Sequence, residues 1–317
     1  MEGRRESLRL EKEALEASFG PWTAHNVRLA DDLYTMSDRP TGDEVKLRRV
    51  TQVVSDVCAG TLDGIRVLDL ACLEGMYALE LARRGAEVVA IEGREANIEK
   101  ARFAARALGL ERIEFLQEDV RDLSRDGHGE FDVVLCLGIL YHLDAPDLFP
   151  FVERIAEVCA RVLVVDTATA AQASESLESD GQVYRAQRLV EHDPESSQEE
   201  RLEAVWSSLD NASAVALTRP SLVSLLGRSG FTSVCDVSVP AEPAKQLNRV
   251  TLLALKGSPV GPLLAPGPDE DAATVPERPP FAQRLEGSRL WSAGRLAIPK
   301  SLRARLRGTL GAETRKH

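Results

Sequence analysis

The chain has 317 residues, 44% of them hydrophobic, enough for one large domain with additions or for two small ones. Its formal net charge of −11 ill suits a surface that must neutralise many phosphates, so nucleic acid is a disfavoured partner. The balance is uneven, because from Arg278 onward ten Lys/Arg face only Glu286 and Glu313, a local net of +8.

Residues 1–60 read as a polar helical cap. Ser7–Phe19 carries Leu8, Leu15 and Phe19 among charges, Gly20-Pro21 breaks the pattern, and Asp43–Cys58 is a second amphipathic helix. Strands and helices then alternate. Arg66–Leu70 is an apolar strand followed by a helix over Tyr77–Arg84, and Glu87–Ile91 is a strand followed by a helix over Ala96–Leu108. Further strands are expected at Ile113–Leu116, Asp132–Leu137 and Arg161–Val165, with a helix at Asp147–Cys159. Continuous apolar strands separated by helices predict an α/β fold with a mostly parallel sheet covered on both faces.

The rhythm stops at Thr167. Residues 168–218 show no strand pattern and read as an insertion. A helix at Leu222–Arg228 and strands at Ser233–Val239 and Arg249–Leu255 resume the fold and would add an antiparallel edge. The expected domain thus runs over 61–256, with a linker (Ser258–Pro280) and a basic helix (Leu290–Leu306, interrupted by Pro299) in a 257–317 extension.

Five scattered cysteines form no CxxC pair, which argues against a disulfide framework or structural zinc and for buried, reduced thiols. The charged Met1–Lys12 stretch lacks a signal-peptide core, and no apolar run of about 18 residues would span a membrane. A cytoplasmic location is therefore expected.

The chemistry gathers at the carboxyl ends of the strands, where open α/β sheets bind ligands. The first strand ends in Asp69-Leu70-Ala71-Cys72-Leu73-Glu74-Gly75 before entering a helix. Backbone amides of Ala71, Cys72 and Gly75 would approach a ligand there. The GxGxxG of a dinucleotide site is missing, and Asp69 and Glu74 would repel a diphosphate and suit an ammonium or a sulfonium. The second strand ends at Glu92-Gly93, where a carboxylate accepts hydrogen bonds from ribose hydroxyls. The third ends near Asp119-Val120, placing Asp119 for an adenine amino group and Val120 against the ring. Together the three acidic strand ends point to a nucleoside site.

On these residues, 65–166 resembles the core of the class I S-adenosylmethionine-dependent methyltransferases. The resemblance extends over 65–255 with the last strands and implies a Rossmann-like seven-stranded sheet and S-adenosyl-L-methionine as cofactor. Gly138-Ile139-Leu140-Tyr141-His142 is similar to a segment of the tRNA wobble-uridine carboxymethyltransferase-like group and its small-molecule and sugar-tailoring relatives. The usual glycine-rich turn has glycines where this chain has Ala71 and Leu73. Ala71 is tolerable if its φ stays negative, whereas Leu73 changes the turn's shape.

Methyl transfer needs donor and acceptor aligned about 3–3.5 Å apart and a base where the acceptor carries a proton. Leu137 and Gly138 would line the methyl's side, with Tyr141 beside the acceptor and His142 as a candidate base. His25 and His192 are further candidate bases, and Trp22, Trp206 and Asn211 are candidate acceptor contacts in the cap and insertion. Asp144 and Asp166 are weighed as Mg²⁺ ligands and set aside, leaving no expected metal. The expected activity is methylation of an oxygen or nitrogen on a small molecule or glycan, with 168–218 as an acceptor lid. The alternatives are a tRNA-modifying methyl- or carboxymethyltransferase and a non-catalytic binding protein of the same fold. The role of the basic tail stays open between an anionic surface, a partner and RNA. The oligomeric state is likewise open, a homodimer included.

Overall fold

In the computed structural model, residues 2–242 and 248–257 are described. The linker at 258–280 and the basic stretch at 290–306 lie outside the described residues. The elements in chain order are α1 (Glu2–Phe19), β1 (Arg28–Ala30), β2 (Leu33–Tyr34), α2 (Glu44–Val57), β3 (Arg66–Leu70), α3 (Met76–Arg83), β4 (Glu87–Ile91), α4 (Glu95–Leu108), β5 (Ile113–Leu116) and α5 (Arg125–His128). They continue with β6 (Phe131–Leu137), α6 (Ala145–Val158), β7 (Cys159–Ala168), β8 (Glu175–Ser179), β9 (Gln182–Val190), α7 (Gln198–Glu203), β10 (Ser213–Leu217), α8 (Arg219–Arg228), β11 (Ser233–Asp236) and β12 (Arg249–Leu255).

The main sheet has seven strands in the order β11-β12-β7-β6-β3-β4-β5. Strands β3 to β7 pair in parallel, and β12 and β11 close one edge antiparallel, as the expected edge pair does. The order reverses between β3 and β6, so a crevice opens at their carboxyl ends, beside the turn that leaves β3. Strand residues alternate between two apolar layers. Val67, Val133, Leu135 and Val164 join α2, α3, α4 and Leu8 on one face. Leu68, Leu70, Val134 and Val165 join α6 and α8 on the other. Each fully buried Leu, Ile or Val contributes about 1.5–3 kcal/mol relative to exposure, so the sheet rather than its connections holds the fold.

Two expectations are corrected. Residues 28–34 form a small hairpin, β1–β2, within the region read as helical, turning through Asp32 at φ 59°. Residues 168–218 contain strands after all: β8, β9 and β10 form a separate antiparallel sheet. Its charged, serine-rich outer face masked the alternation, because Tyr184, Ala186, Val215 and Leu217, joined by the half-buried Leu177, are its residues that pack on the apolar layer shared with α6 and α8. The Val215 amide donates to the Leu143 carbonyl, docking this sheet beside Tyr141-His142.

One guanidinium fixes the rest of the insertion. Arg94, just beyond β4, donates to the carbonyls of Leu202, Ala204, Ser207 and Ser208 at 2.9–3.2 Å and of Arg201 at 3.4 Å. Hydrogen bonds from a charged donor contribute about 1.5–3 kcal/mol each when well made, and here they share one group. Arg94→Ala is therefore expected to speed proteolysis within 201–208 at least tenfold while leaving cleavage of the main sheet unchanged. Equal protection of that segment in both proteins would remove Arg94 as its anchor.

Candidate functional site

The turn after β3 is built from backbone conformations that ordinarily call for glycine. Ala71, Leu73 and Gly75 all have positive φ, at 53°, 51° and 82°. The condition that Ala71 keep a negative φ is not met, and Leu73 adopts the same left-handed conformation. Only Gly75 is sterically compelled: a Cβ there would sit 3.0 Å from Ala101 Cβ and 3.3 Å from the Phe115 ring. The two left-handed side-chain residues are held because the Cys72 amide donates to the Ile91 carbonyl (3.0 Å) and the Leu73 amide to the Glu92 carboxylate (3.0 Å). A left-handed L-residue costs about 1–2 kcal/mol, against about 0.5–1 kcal/mol for placing a glycine. Ala71→Gly is expected to raise unfolding stability by about 0.5–1 kcal/mol in urea titrations. A lowered midpoint would show that the Ala71 methyl does more by packing than it costs in strain.

The three acids of the first two strand ends point in different directions. Asp69 is 1% exposed, lines the crevice, and its Oδ2 has no hydrogen-bond partner. Burial, with the nearby Glu92 charge adding, pushes its pKa up to about 7. Glu92 is also buried and lines the crevice. Burial raises its pKa, although the Leu73 amide and the Arg94 amide (2.9 Å) donate to it. Glu74 faces away, which corrects its expected place beside a cationic ligand. Its fully buried carboxylate accepts from the amides of Thr23 (2.8 Å), Ala24 (3.1 Å) and His25 (2.9 Å) and pairs with Lys100 Nζ at 3.6 Å. Glu74 thus straps residues 23–25 across the turn.

That strap delivers His25 to the crevice, where its Nδ1 accepts from the Met76 amide at 3.2 Å. Trp22, by contrast, is buried in the core at 5% exposure and does not line the crevice. Asp119 is also turned away. Burial would raise its pKa, but the Arg121 guanidinium, 2.6 Å from Oδ2, outweighs burial and holds it below the usual carboxylate range. Arg121 simultaneously grips Asp210 of the insertion (2.6 Å), so the carboxylate expected at an adenine amino group is spent on a latch. Val120, Gly93 and Cys72 do line the crevice, and Leu209 of the insertion packs where a Gly93 Cβ would be.

The opposite wall follows β6. Leu137, Gly138, Tyr141 and His142 all line the crevice, with Gly138 at φ 101°. The Tyr141 and His142 rings lie 4.2 Å apart, and Arg249 donates to the Tyr141 hydroxyl at 3.3 Å. Asp166, at the end of β7, binds Arg249 (2.6 Å), Lys46 (3.3 Å) and the Thr251 hydroxyl (2.6 Å). Burial would raise its pKa, but the two cations hold it low. Asp144 caps α6 and pairs with Arg188. Both carboxylates weighed as metal ligands are therefore engaged by cations.

A second hollow adjoins the first and shares Tyr141, His142, Trp206, Ser207 and Arg249 with it. Thr169, Gln187, Glu191 and Asn248 complete its polar lining. Trp206 is 67% exposed and stands between the two hollows. Asn211 lines neither and reaches toward the His142 carbonyl at 3.5 Å. His192 also lines neither: it is buried, its Nε2 2.8 Å from the Ser208 carbonyl. Sequence reasoning missed Lys46, Tyr77, Arg94, Glu191 and Arg249. Lys46 and Arg249 lie over 200 residues apart and meet at Asp166, a pairing with no local signature.

Residues 67–162 match the family model described as a methyltransferase domain. A ubiquinone biosynthesis O-methyltransferase of Acinetobacter baumannii (strain AYE) is 37% identical over 91 residues, 29% of this chain and 38% of that protein. A protein of the same name from Alkalilimnicola ehrlichii is 38% identical over 106 residues, 33% of this chain and 40% of that protein. The chain thus matches about two fifths of the length of these curated relatives. Among solved structures, the N-terminal domain of EvdMO1, crystallised in the presence of SAH and D-fucose, aligns with a TM-score of 0.60 at 24% identity. That alignment covers 80% of this chain and 97% of the other, and it supports the fold.

Proposed function

We propose that this chain, whose residues 67–162 are a methyltransferase domain of the class I S-adenosylmethionine-dependent type, methylates an oxygen or nitrogen of a small molecule or sugar. The observation that carries the reading is one crevice holding two buried carboxylates, Asp69 and Glu92, opening into a polar second hollow. The names of the relatives support it: one set consists of O-methyltransferases, and EvdMO1 was crystallised with SAH and a sugar.

The residues fit S-adenosylmethionine. Glu92, already oriented by two backbone amides, is placed to accept from ribose hydroxyls, and the unpartnered Asp69 Oδ2 suits a cationic group. Val120 supplies an apolar wall for a base. When bound, the cofactor supplies a methyl group activated by a sulfonium. The protein's part is to align and to manage the acceptor's proton. In this reading 168–218 is the acceptor lid, 1–60 the cap, and Trp206 an aromatic platform between donor and acceptor. His142, at the junction of the two hollows, is the base. Among the described residues no helix is long and apolar enough to cross a membrane.

Two measurements test the cofactor site. Glu92→Ala should weaken S-adenosylmethionine binding by calorimetry roughly tenfold to over a hundredfold, matching about 1.5–3 kcal/mol for hydrogen bonds to a charged group. Full affinity in that variant would remove the ribose assignment. The second uses Asp69, which keeps its proton to about pH 7 in the folded protein and loses it near 3.8 when unfolded. Its effect on folding is a fall in stability as pH rises from about 4 to about 7. Binding of a cation favours the ionised form, so affinity should climb as pH rises through about 7. A flat affinity profile between pH 6 and 8, or the same slope in Asp69→Asn, would contradict this.

A further inference from the structure

His142 and Glu191 come from different parts of the chain and meet at the junction of the two hollows. His142 follows β6, and its Nδ1 lies 2.9 Å from Glu191 Oε2, a residue just beyond β9 in the insertion. Both side chains are largely withdrawn from solvent, at 15% and 6% exposure. The same Glu191 oxygen accepts from the Ser208 amide at 2.7 Å, which fixes the carboxylate. Ser208 in turn lies in the segment whose carbonyls Arg94 holds, and Arg94 follows directly on Glu92-Gly93. An unbroken set of hydrogen bonds therefore runs from the end of β4 through the insertion to His142.

We infer that Glu191 is a positioning residue that fixes His142 as the Nδ1–H tautomer, leaving Nε2 bare as the proton-accepting atom toward an acceptor hydroxyl. The inference rests on the methyltransferase reading above for what the base does, but not for which nitrogen carries the proton. A carboxylate is an acceptor only, so the nitrogen facing it must carry hydrogen, and a neutral imidazole has only one N–H. Among the described residues Nε2 makes no hydrogen bond. With a sulfonium methyl donor bound, the acceptor O–H bond would break with its proton passing to Nε2, and the oxygen's electron pair would bond to the methyl carbon as the carbon–sulfur bond breaks, its electrons leaving on the neutral thioether. The resulting imidazolium donates through both nitrogens, its charge facing Glu191, and returns the added proton to solvent.

The charged groups around His142 agree with this assignment. The Tyr141 ring lies against that of His142, tilted by 42°, and is itself bound by Arg249, whose charge is engaged by Asp166. Asp144, two residues on, is paired with Arg188, and Arg94 interacts electrostatically with Glu191. Glu191 is thus the carboxylate bonded to the ring. Because it belongs to the insertion, the base is oriented only while that segment is docked.

The test is long-range proton–nitrogen NMR of the His142 ring in the full 15N-labelled chain, which reports the tautomer without an acceptor. The wild type is expected to show a protonated Nδ1 and a bare Nε2 at a pH where the ring is neutral. Glu191→Gln, whose amide can donate to Nδ1, should populate the Nε2–H form. Glu191→Asp should restore the wild-type pattern at least in part. An Nε2–H tautomer in the wild type, or an unaltered spectrum in folded Glu191→Gln, would overturn the inference. If Glu191→Gln does not fold, the wild type and Glu191→Asp decide it. Calorimetry with S-adenosylmethionine on the same samples separates the two readings. Absence of cofactor binding with the expected tautomer would sink the methyltransferase proposal alone. Cofactor binding with an Nε2–H ring would sink the Glu191 role alone.

Discussion

Leaving β3, the chain must reverse into α3 within the five residues 71–75, and it does so by holding Ala71, Leu73 and Gly75 in left-handed conformations. Alternation of handed residues turns successive peptide groups to opposite sides. One side presents the Leu73 amide to Glu92, orienting that carboxylate within the crevice. The other turns Glu74 out of the crevice toward residues 23–25, which its carboxylate gathers through three backbone amides. A conformational constraint at one corner of the sheet therefore divides the acids into two that line the crevice and one that ties the preceding segment to the turn.

Buried ion pairs recur where the N-terminal segment and the last strand meet the rest of the sheet. Glu74 with Lys100 secures the strap before β1, and Asp166 with Lys46 and Arg249 joins α2 and β12 to the end of β7. Such pairs repay their desolvation only when geometry is good, and loss of one partner costs about 3–5 kcal/mol because the other charge stays buried. Apolar packing alone would let α2 slide along the sheet; directional charge pairs define one seat. The α2 helix carries two cations on its buried face for this reason, a pattern that propensity alone would place toward solvent.

The alternation of β3 to β7 with α3, α4 and α6 was legible because each strand is a continuous apolar run, buried on both faces. The place of Glu92 was legible for a related reason: it directly follows an apolar strand whose carboxyl end opens on the crevice. The strands within 168–218 were not legible, since β8 and β9 alternate Ser, Glu, Gln and Arg with a few small or aromatic residues that meet the core. Asp119 lies just beyond the third parallel strand as read, but its charge is engaged by Arg121, which also holds Asp210. Glu74, Arg94 and Glu191 act on residues 17 to over 100 positions away, and a single sequence carries no trace of such pairings. The left-handed Ala71 and Leu73 were hidden because side chains there only resist that conformation without forbidding it.

Strand β12 lies between β7 and β11, yet it is the last strand of the sheet to be made. Between Ala168, which ends β7, and Arg249, which begins β12, the ribosome must add about 80 residues, on the order of 4–16 s of synthesis at about 5–20 residues per second. Through that interval the hydrogen-bonding groups along Val162–Val165 have no partner on that side, and an open apolar edge is a template for other chains. The small sheet of the insertion, emerging during the same interval, can already pack on α6 and shelter the apolar layer beneath it. The order of the chain thus puts a segment that packs on this layer ahead of the strand that closes the sheet.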